Sequence, residues 1–313
     1  MDNPPRLFKQ LDHLLARVEE PRRLFDTLTG TLGLPVAWPF RSYPSFQSGG
    51  VALGNLYLEV FQCGARRESR AGRFCAIAYE TPPIAEAVRE LSRRRIPHTP
   101  PAPYRERGAD GGAALIRSNV VLGRMLGRDF LLDLTVSLSR LPGAARLSDA
   151  GSGSALDRWQ MDKLFGRDVV FLFEFFYENI KDQPHWSEFG SHEEKRAADL
   201  ARLRAAGGGA VGVESAEEIV AGVCDLDAAR ALWRKFYAPA GEGAAGLFRT
   251  GDDPAVRLVR ADTDSIRALV LKVASLERAE TFLRESGMLG SVGADHIRID
   301  PSKIEGLDVR LVR

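Results

Sequence analysis

Three ionisable side chains interrupt otherwise apolar, strand-like stretches. They are His13 in LDHLLARV (residues 11–18), Glu59 in NLYLEVFQ (55–62) and Glu174 in VVFLFEFF (169–176). Side chains two positions apart share a strand face. His13 therefore lies with Leu11, Leu15 and Arg17, opposite Leu14, Ala16 and Val18. Glu59 lies with Asn55, Tyr57 and Phe61, opposite Leu56, Leu58 and Val60, while Glu174 lies with Leu172 and Phe176. A lone carboxylate in an apolar wall is costly unless it is paired, hydrogen-bonded or bound to a metal. Two carboxylates beside one imidazole must share a proton or bind something positive.

The elements that would position these residues recur four times. The strand at 11–18 is followed by Leu24, Leu28 and Leu32 at helical spacing, a stop at Gly33, and a further strand at 55–62. The same opening returns at 74–91, 217–237 and 265–283, and the last two copies both end in VRLVR, at Val256–Arg260 and Val309–Arg313. A strand, a short helix and more strands cannot bury a sheet face alone, so the units must pair. Four such units suggest two pairs. An N-terminal pair would span 8–190, a charged helical linker ending in three glycines 191–209, and a degenerate C-terminal pair 210–313. The Pro- and Gly-rich stretch at about 100–168 predicts an insertion in the second module.

These stretches resemble the vicinal oxygen chelate superfamily, and within it the glyoxalase-like domain proteins of the glyoxalase/bleomycin resistance/dioxygenase type. The resemblance lies in LDHLLARVEEPRRLFDTLTGTLGL with GGVALGNLYLEVF, in PPIAEAVRELSRRRI, and in FLFEFF followed by QPHW. It is specific over roughly residues 11–62 and 169–186, and the C-terminal half matches by repeat pattern alone. The resemblance implies an α+β fold of four βαβββ modules paired into two curved mixed sheets, with metal ligands on the first and last strands of two modules. It thereby points to His13, Glu59 and Glu174 as a metal set, with Glu59 or Glu174 doubling as a proton-transferring catalytic base. Alignment of the strand–helix junctions puts Ala76, Ala221 and Ala268 opposite His13 in the other modules, and Arg257 and Arg310 at the carboxylate position of the last two. Three ligands rather than four would remain, and only in the N-terminal pair. The two-His, one-Glu site that four-module extradiol dioxygenases hold in their C-terminal pair is not expected here.

Two functions follow. One is a metal-assisted lyase, isomerase or oxygenase acting on a small oxygen-rich molecule, with Mn, Fe, Ni or Zn suiting one imidazole and two carboxylates. The other is a non-catalytic protein that sequesters a small ligand in a metal-free cleft, where His13 hydrogen-bonds a carboxylate. Arg17, Asn55, Tyr57, Phe61 and Phe176 are the candidate ligand contacts under either reading. The C-terminal pair would be a structural partner or the contact of a homodimer.

Composition narrows the field. The chain has 313 residues, 44% of them hydrophobic, and a formal charge of +1, which points to neither a nucleic-acid partner nor an acidic tail. Cys63, Cys75 and Cys224 are too few and too scattered for a disulfide framework or zinc cluster. No run reaches membrane-spanning length and no signal peptide opens the chain, so a soluble cytoplasmic protein is expected. His185 and His192, seven apart in an expected loop, read as surface residues, although His185 could reach the cleft mouth with Tyr177 and Glu178. His98 and His296 read as structural.

Overall fold

The computed structural model describes residues 5–43, 46–63, 72–107, 113–127 and 168–313. Two mixed sheets organise them. The first runs β2-β3-β4-β1-β5-β8-β7-β6, built from β1 (Gln10–Arg17), β2 (Val36–Ser42), β3 (Phe46–Ala52), β4 (Tyr57–Cys63), β5 (Arg73–Glu80), β6 (Ala102–Arg107), β7 (Ala113–Leu122) and β8 (Val169–Phe175). Helices α1 (Pro21–Asp26) and α2 (Ile84–Arg93) follow β1 and β5, so each half of this sheet is one βαβββ module. The halves meet where β1 and β5 pair antiparallel, and each first strand pairs parallel with its module's last, β1 with β4 and β5 with β8.

The second sheet repeats the plan in the order β10-β11-β9-β12-β15-β14-β13. Its strands are β9 (Val213–Val223), β10 (Leu247–Phe248), β11 (Ala255–Arg260), β12 (Ser265–Val273), β13 (Leu289–Val292), β14 (His296–Ile299) and β15 (Val309–Val312). Among the described residues its first module has one strand fewer than the others. Both VRLVR segments form last strands, paired parallel with β9 and β12. Part of the expected insertion forms the β6–β7 hairpin, and residues 128–167 lie outside the described residues.

Alternation divides each strand between a cleft face and a helix-covered face. Leu14, Ala16, Leu58, Val60, Ile77, Tyr79, Val170 and Leu172 face the helices and join one continuous apolar core with Ile219, Val256, Leu269 and Leu311 of the second sheet. The seam between the halves is aromatic: Phe8, Tyr79, Phe236 and Tyr237 stack on one another, and the Tyr79 and Tyr237 hydroxyls hydrogen-bond at 2.9 Å. Burial pushes both phenols above their ordinary value, reinforced at Tyr79 by this contact and at Tyr237 by the Asp253 carboxylate, so they stay neutral hydrogen-bonding groups.

Three helices start where the sequence supplies a side-chain cap. Asp225 accepts from Ala228 N–H at α5 (Leu226–Tyr237) and Ser275 from Arg278 N–H at α6 (Leu276–Glu285). Between the sheets run α3 (Tyr177–Ile180) and the long α4 (His192–Ala205), capped by Ser191. The four glycines that follow α4 with φ between +59° and +73° (Gly207, Gly208, Gly209 and Gly212) turn the chain into β9. Among the described residues, no helix is long and apolar enough to cross a membrane.

One shared core predicts a single cooperative denaturant transition rather than two. Tyr79→Phe, which leaves the buried Tyr237 hydroxyl without its partner, should cost about 1–2 kcal/mol. Both are read from equilibrium urea unfolding followed by fluorescence.

Candidate functional site

The cleft face of the first sheet holds a polar centre in an aromatic wall. It begins with an irregularity in β1, where pairing with β5 shifts between Leu11 and His13. Leu11 stays in the core, while Asp12 and His13 both reach the cleft. His13 Nδ1–H donates to Asp12 Oδ2 at 2.7 Å, which directs Nε2 away from the backbone. That Nε2 is buried without a hydrogen-bond partner, and Glu59 Oε2 stands 3.6 Å from it. Glu59 is fixed in turn by Ser48, whose hydroxyl donates to Oε1 at 2.5 Å, and Trp38 Nε1–H approaches the same hydroxyl at 3.5 Å.

Gly50 makes room for that indole. A Cβ at Gly50 would stand 2.2–2.4 Å from Trp38 ring atoms, so the tryptophan lies where a side chain would otherwise project. Trp38 then borders His13 edge-on, with ring centres 6.3 Å apart.

Asp12 is the hub of a second set of groups. Arg196 donates to its Oδ1 at 2.9 Å, and His192 Nε2 lies 3.5 Å from the same oxygen. His192 Nδ1–H donates to Glu80 Oε2 at 2.9 Å, and Glu80 also accepts from Gln10 and Lys9. Burial alone would raise the Asp12 carboxyl, but His192, His13 and Arg196 outweigh it and hold Asp12 well below the usual carboxylate range. The same balance, with His192 as the counterweight, lowers Glu80. Asp12, Glu80 and His192 bring their ligand atoms within 4.8 Å of one another, close enough to hold a cation. Their polar atoms, however, are already engaged by Arg196, Lys9, Gln10 and each other. The orphaned ligand atom belongs to His13.

Most of these partners come from α4. His192, Lys195, Asp199 and Leu203 form its buried stripe. Lys195 is fully buried, bonded to Asp199 at 2.6 Å and seated over the Tyr57 and Trp186 rings. Tyr57 O–H donates to Asp199 at 2.7 Å; burial and that carboxylate drive its phenol far above the ordinary value. The sequence expectation of surface histidines fails for His192, while His185 takes the cleft position also considered for it. His192 is 4% exposed in the network, and His185 lines the cleft with Nδ1 buried and unpartnered. Burial, then the positive charges of Arg41 and Lys195, push His185 down to about 4.

The structure brings His13, Glu59 and Tyr57 together and leaves the other expected residues elsewhere. Glu174 shares a face with Leu172, as alternation requires, but that is the helix-covered face. Its Oε2 accepts Ile84 N–H at 2.9 Å and so caps α2. Phe171 and Phe173 occupy the cleft side of β8, with ring centres 5.8 and 5.4 Å from His13. Asn55 ties the halves together through Ala216 and the Asp252 carbonyl. Phe61 packs behind Phe46, while Arg17 and Phe176 lie at strand ends away from the cleft lining. Ala221 belongs to the core, not to a position facing a cleft. On the second sheet, Arg257 pairs with Glu218 at 2.6 Å, and Arg310 with Asp308 at 2.8 Å, so ion pairs fill that cleft face.

A cavity of about 100 Å³ opens above His13 and Glu59. Trp38, Tyr43, Phe46, Tyr104, Phe175 and Trp186 give it an aromatic wall.

No protein-family model matches the chain, and no curated protein matches it. Solved structures do. A hypothetical protein from Staphylococcus aureus aligns with a TM-score of 0.51 and 10% identity, over 96% of this chain and 98% of that one. A variant of homoprotocatechuate 2,3-dioxygenase from Brevibacterium fuscum gives 0.54 and 10%, over 99% and 72%. The homoprotocatechuate 2,3-dioxygenase of Arthrobacter globiformis gives 0.51 and 11%, over 100% and 81%. At these identities the likeness shows the fold, which is of the vicinal-oxygen-chelate type.

His185 should titrate near pH 4 by NMR. Because its folded value lies below the unfolded one of about 6.5, the unfolded chain binds the proton first and stability falls as pH drops from 6.5 toward 4. His185→Gln should flatten that slope.

Proposed function

We propose that the chain is a small-molecule protein of the vicinal-oxygen-chelate type whose N-terminal cleft is an enzyme site, with His13 Nε2 and Glu59 Oε2 holding a divalent cation. The observation that carries this reading is the orphaned, buried Nε2 of His13, aimed at a cavity and flanked by a carboxylate at 3.6 Å. A neutral imidazole that donates Nδ1–H to a carboxylate presents the lone pair a metal needs, and Asp12 supplies that second contact. One nitrogen and one carboxylate suit Mn, Fe(II), Ni or Zn. Bound there, such an ion would polarise a carbonyl or accept two adjacent substrate oxygens.

The chain's own residues do the rest. Asp12 fixes the imidazole tautomer and is itself held ionised by Arg196 and the two histidines. Ser48 orients Glu59, so that one oxygen is occupied and the other faces the cavity. The aromatic wall excludes water from one side of a bound planar molecule. Glu59 is the group placed to move a proton, and lyase, isomerase and oxygenase chemistry all remain open to this arrangement.

Phe171 and Phe173 favour a second reading, because they stand where a third ligand would be expected. With two protein ligands the cleft would then sequester its ligand without a metal.

Metal analysis of protein purified without chelator separates the two. Near-stoichiometric Mn, Fe, Ni or Zn, lost in His13→Ala with the fold retained, is expected. Metal-free protein that does not take up any of these ions would establish the second reading instead.

A further inference from the structure

Six buried side-chain polar atoms among the described residues have no hydrogen-bond partner. Two of them, Asp168 Oδ1 and Glu305 Oε1, have an arginine ion partner. Three of the remaining four line one cavity: His13 Nε2, Arg117 Nε and His185 Nδ1. Folded proteins rarely leave such atoms unsatisfied, and a cluster of them in one cavity marks where a ligand's polar atoms belong.

The three are not equivalent. His13 and Glu59 sit on β1 and β4. Arg117 sits on β7, three strands from β1 through β5 and β8, or roughly 14 Å across the sheet at the usual strand spacing. The cavity is thus polarised. At one end Glu59 repels negative charge. At the other, the Arg117 guanidinium has no carboxylate partner among the described residues and lies over the Tyr104 ring, 4.9 Å from ring centre to guanidinium carbon. Elsewhere on the cavity, His185 feels the positive charge of Arg41 and Lys195. A half-buried guanidinium held by a ring face keeps its in-plane donors free, the geometry that recognises a carboxylate.

We infer that the N-terminal cleft takes a small organic carboxylate with a planar, apolar body, its anionic group on Arg117 and its body against the aromatic wall. At about 100 Å³, against the roughly 150 Å³ of an apolar cavity that takes up a benzene, the cavity has room for no body larger than one ring. His185 Nδ1 is a further unpartnered polar atom on the same cavity. The inference deepens the reading of this cleft as the ligand site, but anion recognition does not require the metal.

The test is quenching of Trp38 and Trp186 fluorescence by benzoate and phenylacetate, with benzamide as the uncharged control, in protein treated with EDTA. Saturable quenching by at least one acid is expected, with benzamide at least about tenfold weaker, the loss of one charge-assisted contact. Arg117→Met should weaken acid binding by about tenfold or more. Arg117→Lys, which keeps the charge, should bind better than the Met variant, and thermal unfolding confirms that both variants are folded. Because the protein is treated with EDTA, acid binding is read without any metal, so failure of the metal reading and failure of this one are distinguishable. Equal binding of benzoate and benzamide, an Arg117→Met variant that binds as well as the parent, or no saturable quenching by either acid would overturn the inference.

Discussion

Asp12 is 2% exposed and carries a charge that nothing in an apolar sheet could tolerate alone. Three groups from two places in the chain hold it: His13 from the adjacent position, and His192 and Arg196 from a helix some 180 residues later. Each of those groups has a further role because of that bond. His13 is fixed with Nε2 facing the cavity, His192 bridges to Glu80, and Arg196 reaches on to the Asn55 carbonyl. Removing the Asp12 charge would leave two donors unpaired and release the imidazole that Asp12 aims at the cavity.

The helix α4 is therefore more than a connection between sheets. Its buried face is charged, and Lys195 paired with Asp199 carries the same cost of burial as Asp12 with Arg196. Replacing such pairs with apolar residues often leaves stability unchanged or improved, while breaking one is severely destabilising. The benefit here is geometric. An apolar stripe would seat the helix anywhere along a greasy cleft face, whereas His192 against both Asp12 and Glu80 permits one depth and one rotation. The cavity that remains open is the part of the cleft that α4 and Trp186 do not fill.

Much of the fold was legible in the sequence. The recurring strand–helix pattern located both sheets, and alternation separated the faces of β1 and β4 because each sets polar residues against Leu and Val. It failed in β8, where both faces are apolar. FLFEFF superimposes on LYLEVF by residue type, yet Leu172 beside Glu174 is a core residue, and the only polar group on the strand was assigned to the wrong side. Asp12 was missed because a bulge, which no periodicity reveals, turns two consecutive residues toward the cleft. The α4 contribution was invisible for a different reason. A helix is recognised as buried by an apolar stripe, and this one buries histidine, lysine and aspartate, a pattern that reads as solvated. One usable signal existed: Ser191 three residues before Glu194 marks a capped helix start, placing His192 at its first position rather than in a loop.

The account rests on the direction in which His13 presents its lone pair. Imidazole nitrogen NMR at pH 8, with His13→Gln used for assignment, reads this directly. The account predicts the Nδ1–H tautomer, bonded to Asp12, with Nε2 unprotonated toward the cavity, and a shift of that Nε2 signal on addition of Zn(II). A protonated Nε2 with a bare Nδ1 would contradict it, since His13 could then offer no lone pair to a metal in the cleft.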